Sequence, residues 1–155
     1  MPIFDPQSQA LIQNWDQTIE KQIKIEFIAT DHAEDNQFVN FIDQLVNMTS
    51  SLVIESKKGE KKLPGFLLKE NITYSALPLG KELEPFLEAL SQINGKHNML
   101  SIPTLSKPIR QTLDKIDIPV RLKLYIALEC PHCPNVVRTV IPLAINCNNI
   151  NLHII

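Results

Sequence analysis

Residues 120–134 read Val-Arg-Leu-Lys-Leu-Tyr-Ile-Ala-Leu-Glu-Cys-Pro-His-Cys-Pro. In the first nine, apolar Val120, Leu122, Leu124, Ile126 and Leu128 alternate with Arg121, Lys123, Tyr125 and Ala127, the period-two pattern of a strand. Behind Cys130 and Cys133 come Val136, Val137, Val140, Ile141 and Ile145, the apolar stripe of a helix ending near residue 145. The last residues, Leu152-His153-Ile154-Ile155, read as another strand. A strand that hands over to a helix through Cys-x-x-Cys sets the frame for the rest of the chain.

Upstream the same vocabulary recurs. Leu11, Ile12, Trp15 and Ile19 share a helical face, and Ile23, Ile25 and Phe27 alternate with Lys24 and Glu26 in a strand. Asp31 followed by Glu34 has the spacing of a capping box, which predicts a helix from about Ala33 carrying Phe38, Phe41, Ile42, Leu45 and Val46. Leu52-Val53-Ile54 is a short strand, and 63–69 and 72–77 read as a hairpin. Leu83, Phe86, Leu87, Leu90 and Ile93 mark a helix that stops at Asn94-Gly95. A further helix is expected over 104–116. The fold class is therefore α/β, a mixed sheet with helices on both faces.

A repeat is visible. Phe27-Ile28-Ala29 matches Tyr125-Ile126-Ala127, 98 residues later, and Ser51-Leu52-Val53-Ile54 matches Asn151-Leu152-His153-Ile154, 100 residues later. The chain starts one unit twice: 1–95 is a thioredoxin-like unit without a dithiol, 96–119 a linker and helix, and 120–155 the strand–helix–strand start of a second unit. Carried back, Cys130 and Cys133 fall on His32 and Asp35. Pro64 falls where thioredoxin folds keep a cis-proline, or is simply a strand-entry proline. A hydrophobic strand at the final residues leaves an edge with nothing after it to cover it, as in a piece of a longer protein.

A Cys-x-x-Cys on the first helical turn brings two sulfurs within bridging distance. The helix N-terminus supplies partial positive charge and free N–H groups that favour a thiolate. Pro131 and Pro134 suit a first turn, where a missing N–H costs little. His132 adds a donor and, when protonated, a charge. Cys130 is then the attacking thiolate and Cys133 the resolving thiol of thiol–disulfide exchange, while the neighbouring Glu129 should push the Cys130 pKa back up. The rival reading is a zinc module built from Cys130, Cys133, Cys147 and His153, a Cys-x2-Cys-x13-Cys-x5-His spacing. A continuous helix from Cys133 to Cys147 would separate those ligands by roughly 21 Å at 1.5 Å per residue, which disfavours the metal.

Composition narrows the partners. The 155 residues carry 15 Lys+Arg against 17 Asp+Glu, a net charge of −2, so neither nucleic acid nor an anionic membrane is expected. No apolar run approaches the roughly 20 residues of a membrane span, and Met1-Pro2-Ile3-Phe4-Asp5 lacks the basic and apolar regions of a secretory signal; the expected location is the cytoplasm. The four glycines, Gly59, Gly65, Gly80 and Gly95, cannot supply a Gly-x-Gly-x-x-Gly turn or a Walker loop.

Phe27-Ile28-Ala29-Thr30, Pro64-Gly65-Phe66-Leu67, Leu77-Pro78-Leu79-Gly80-Lys81-Glu82 and the run Tyr125 to Val137 together resemble the N-terminal domain of the flavoprotein component of alkyl hydroperoxide reductase. The tandem-fold protein disulfide oxidoreductases of thermophiles come next. The resemblance implies two fused thioredoxin folds with a single active dithiol in the second and no cofactor of its own. It implies electrons arriving from a flavoprotein or other thiol reductant and leaving to the disulfide of a protein such as a peroxiredoxin. It also implies that Glu82 faces the dithiol across the two folds, although a first-turn acid favoured by the helix dipole explains the same residue. Cys-Pro-His-Cys also occurs in oxidising bacterial enzymes, so the direction of electron flow stays open, as does a homodimer. A docking or scaffold domain with a dead second unit is the third reading.

Overall fold

The computed structural model describes residues 1–60, 63–93 and 105–155. The elements are α1 (Pro6–Thr18), β1 (Ile23–Ala29), α2 (Asp35–Met48), β2 (Leu52–Lys58), β3 (Gly65–Lys69), β4 (Ile72–Tyr74), a short 3-10 turn (Gly80–Glu82), α3 (Leu83–Ile93), α4 (Lys107–Leu113), β5 (Val120–Leu124), α5 (Cys133–Asn146) and β6 (Ile150–Ile154). Every expected strand and helix is present. The Asn94-Gly95 stop lies outside the described residues. No described helix is long and apolar enough to cross a membrane.

The strands form one six-stranded sheet in the order β2-β1-β3-β4-β6-β5. β6 runs parallel to both β4 and β5, with Tyr74 opposite Ile154 on one side and Leu124 opposite Ile154 on the other. The terminal strand is thus internal, which corrects the expectation of an uncovered final edge; the edges of the sheet are β2 and β5.

The parallel crossovers β1–α2–β2 and β5–α5–β6 step the same way across the sheet, so α2 and α5 lie on one face, where α3 packs beside α5 and α1 against α2 and α3. Phe66 of β3 stacks against Phe27, Phe38, Phe41 and Phe86 at ring separations of 5.2–5.8 Å, which ties β1, α2 and α3 into one core. The opposite face is polar. It carries the ion pairs Lys24–Glu55 (2.7 Å) and Lys57–Glu26, and towards the other edge Arg121, Lys123 and Asn151. The expectation of helices on both faces rests on element order alone, and this arrangement corrects it.

One buried residue ties the β3–β4 turn to α5 and β6. Asn71, in the tight β3–β4 turn, donates through Nδ2 to the carbonyls of Ala144 (2.8 Å) and Ile150 (2.8 Å), at the end of α5 and the start of β6. Its own carbonyl accepts from Leu152 N–H at 2.8 Å. Carbonyls freed by the end of a helix are thereby satisfied without water.

The segments β1–α2–β2 and β5–α5–β6 are both parallel strand–helix–strand arrangements, but their register differs from the sequence match. Ile23 N–H donates to Ser51 O and Val120 N–H to Asn149 O, both at 2.7 Å, so these are the same bond in the two units. Ile23 therefore corresponds to Val120, 97 residues on, and Ser51 to Asn149, 98 residues on. A one-residue slip in a strand turns every side chain to the other face. The sequence match sets Phe27, with 0% exposure, against Tyr125, with 68%; its true counterpart is Leu124. Helices α2 and α5 start at Asp35 and Cys133, so those two positions do correspond.

Two local expectations change as well. No described peptide bond is cis, so Pro64 enters β3 in trans. Asp31 and Glu34 form no capping box. Instead Asp35 accepts from Thr30 N–H (2.7 Å) and Thr30 Oγ1 (2.8 Å), holding the β1–α2 turn closed where the second unit has its cysteines.

Candidate active site

The dithiol sits where β5 ends and α5 begins. A turn at Leu128-Glu129, closed by Cys130 N–H donating to Ala127 O at 2.9 Å, delivers Cys130 ahead of the helix. Cys133 is the first helical residue. Both are half-buried free thiols. The Cys133 thiol hydrogen-bonds the Cys130 sulfur, and this holds the Cys130 pKa below the ordinary thiol value. The backbone N–H groups of His132 and Cys133 act in the same direction, while burial and the Glu82 charge oppose. The same bond pushes Cys133 up, with burial and the charges of Cys130 and Glu82 adding to it. The two thiols are made unequal in the order expected of attacking and resolving groups.

His132 contributes its backbone. Its side chain is exposed and makes no capping bond to α5. The carboxyl acting on the cysteines is Glu82, not the exposed Glu129 beside them. Gly80, at a φ of +56°, takes the left-handed conformation that begins the 3-10 turn, and the turn brings Glu82 inward with 0% exposure. Burial raises the Glu82 pKa, offset in part by the Tyr74 hydroxyl and the Arg138 charge. Tyr74 Oη donates to Glu82 Oε2 at 3.4 Å, and Glu82 Oε1 has no hydrogen-bond partner among the described residues. Arg138 leans from α5 to α3, with Nε 2.7 Å from Glu88 and an NH2 nitrogen 2.9 Å from Glu84.

Tyr74 and Arg138 escape a reading of the sequence. Tyr74 has the period of a core strand residue, and nothing local marks a core tyrosine as the partner of a distant acid. The zinc set is not brought together: Cys133 and Cys147 lie at opposite ends of the continuous α5. Cys147 is buried with Sγ 3.8 Å from Leu113 O, and His153 Nε2 lies 2.8 Å from Ser75 Oγ. Among the described residues no three metal-ligating side chains converge.

No family model matches the chain. A protein named NADH dehydrogenase from Bacillus subtilis is 25% identical over 141 residues, covering 88% of this chain and 26% of its own length. The alkyl hydroperoxide reductase protein AhpF from Staphylococcus epidermidis is 24% identical over 121 residues, 74% of this chain and 23% of the relative. The chain thus spans about a quarter of the length of these curated relatives. Among solved structures, alkylhydroperoxide reductase AhpF from Enterococcus faecalis superposes with a TM-score of 0.76 at 12% identity, covering 99% of this chain and 80% of that one. A protein disulfide oxidoreductase from Aeropyrum pernix gives 0.76 at 9% identity, covering 99% and 75%. In sequence and fold, then, the chain resembles the alkyl hydroperoxide reductase protein AhpF, through its thioredoxin-like N-terminal domain, and in fold the protein disulfide oxidoreductases.

Proposed function

We propose that the chain is a thiol–disulfide oxidoreductase or electron-relay domain that reduces protein disulfides through Cys130 and Cys133. The observation that carries this reading is the pair of unequal thiols at the head of α5, with Cys130 held low by its bond to Cys133. The Cys130 thiolate attacks one sulfur of a protein disulfide; a Cys130–substrate S–S bond forms, the substrate's own bond breaks, and the departing thiolate takes a proton. Cys133 then loses its proton and attacks Cys130, releasing the second substrate thiol and leaving a Cys130–Cys133 disulfide. A dithiol reductant, such as that of a flavoprotein, returns two electrons and two protons to the pair.

Glu82 is the group suited to receive the Cys133 proton. Its charge acts on both sulfurs, its pKa is raised by burial, and its Oε1 is free to accept. His132 supplies a backbone donor to the Cys130 thiolate. A peroxiredoxin-type protein disulfide is the substrate class that the related proteins suggest.

The test is trapping. Cys133→Ser should accumulate a mixed disulfide between Cys130 and a disulfide protein, seen by intact mass, and Cys130→Ser should not. Absence of any adduct across several disulfide substrates, with Cys130 alkylating at the rate and pH of an ordinary thiol, would sink the assignment.

A further inference from the structure

The ion pairs of this molecule are of two kinds. On the polar sheet face, Lys24 and Glu55 leave 62% and 50% of their side-chain surface in water, where an ion pair contributes little. Between α3 and α5, Arg138 and Glu88 leave only 28% and 12%. Arg138 Nε donates to Glu88 Oε2 at 2.7 Å, while its Nη2 donates to Glu88 Oε1 at 3.2 Å and to Glu84 Oε2 at 2.9 Å. Both oxygens of Glu88 are thus held by one planar fork, which fixes direction as well as distance.

The clamp belongs to the helix that follows the cysteines. Asp35 and Cys133 open α2 and α5, so the counterpart of Arg138 is Asn40. Asn40 is exposed and accepts from Gln44 Nε2 of its own helix at 2.9 Å. Both ends of the clamp lie close to the thiol chemistry. Arg138 stands five residues after Cys133 on α5, and Glu84 two residues after Glu82, where the 3-10 turn runs straight into α3. Since α5 packs on both α3 and that turn, tying Arg138 to Glu84 and Glu88 fixes the head of α5 against the segment that presents Glu82.

We propose that Arg138 is a positioning residue of the thiol exchange, holding Cys133 in register with Glu82 for transfer of the Cys133 proton. The proposal rests on the reading of Cys130 and Cys133 as attacking and resolving thiols. The charged and titratable groups around Glu82 are Tyr74 from β4, Cys130, Cys133 and Arg138 from the dithiol turn and α5, and Lys81, Glu84 and Glu88 from its own segment; Asp5, before α1, lines the same groove as Lys81, Glu84 and Arg138. Of these, Tyr74 and Arg138 hold the Glu82 pKa down against burial. The shifts at the two sulfurs come from each other, from nearby backbone N–H groups, from burial and from Glu82, with no part from Arg138. Loss of the arginine should therefore burden the resolving step and spare the first attack.

The two steps can be read apart with one equivalent of dithiobis(nitrobenzoate), an aryl disulfide. The Cys130 thiolate displaces one thionitrobenzoate and forms a Cys130–S–S–aryl bond. Cys133, giving its proton to Glu82, attacks the Cys130 sulfur, displaces the second thionitrobenzoate and closes the Cys130–Cys133 disulfide. Stopped-flow absorbance follows both releases. Arg138→Met should leave the first release within about twofold and slow the second roughly tenfold or more at neutral pH. The pH profile of its second release should move upward, because Glu82 then keeps its proton to higher pH. Arg138→Lys retains the charge and loses the fork, so its second release should slow while the pH profile stays that of the unaltered chain. A merely stabilising ion pair would not separate the two releases. Second releases that match the unaltered chain in both variants, or a slowing shared equally by both releases, would overturn the role of Arg138 and leave the dithiol reading intact. A single release from the unaltered chain would overturn both. Should Arg138→Met not fold, the two releases of Arg138→Lys still decide it.

Discussion

Tyr74 and Glu82 meet at 3.4 Å inside the closed side of the dithiol, a phenol from the middle of the sheet donating to a fully buried carboxyl. The Glu82 charge in turn pushes the pKa of both cysteines up, and the charge of Cys133 adds to the burial and the Glu82 charge that hold the Tyr74 phenol protonated. A carboxyl from the turn before α3 therefore opposes thiolate formation at the head of α5.

Replacing Glu82 with Gln removes a charge that opposes thiolate formation at both cysteines. The alkylation profile of Cys130 should move to lower pH, while turnover with a disulfide substrate falls, because the resolving step loses its proton acceptor. Rate against pH, with the modified cysteine identified by mass spectrometry, separates the two effects. A variant with both unchanged would remove Glu82 from the site.

The same carboxyl gives stability a pH dependence. Its folded pKa is raised, so the folded state holds the proton more tightly than the unfolded state. That contribution is fully present below the unfolded value and is lost as pH rises through the folded value. Denaturant midpoints should fall over that window in the unaltered chain and stay flat there in Glu82→Gln. Tyr74→Phe removes the hydrogen bond that lowers the Glu82 pKa, so its window should move to higher pH.

Asn71→Ala strips the carbonyls of Ala144 and Ile150 of their donor at a buried site. Each orphaned group costs about 1–3 kcal/mol, so urea unfolding should show a loss of roughly 2 kcal/mol or more. Protection of the β6 amides should fall with it, whereas Cys130 in the remaining folded protein keeps its reactivity.

Phe66→Ala opens a cavity among four aromatic rings and should cost about 3–5 kcal/mol, read as a shift in denaturant midpoint at unchanged slope. Cys147→Ala, by contrast, should cost about 1 kcal/mol and leave both the alkylation of Cys130 and the zinc content of the protein unaltered. Stoichiometric zinc lost on that substitution would revive the metal site.

Much of this protein is written in short stretches of its chain. The period of β5, the apolar stripe of α5, the Cys130–Cys133 spacing and the recurrence of one unit are local patterns, since backbone geometry alone gives strands a period of two and helices 3.6. Thus the α/β class and the two cysteines at a strand–helix junction are legible residue by residue. The tertiary structure decided what joins distant segments: β6 inserted between β4 and β5, helices gathered on one face, and Glu82 and Tyr74 set against sulfurs about fifty positions further along. It also corrected the repeat by a single residue in its first strand, enough to exchange Tyr125 for Leu124 as the partner of Phe27. Periodicity says which side chains share a face, but not which face meets which neighbour. That choice rests on burying many apolar surfaces at once, and no window of sequence contains it.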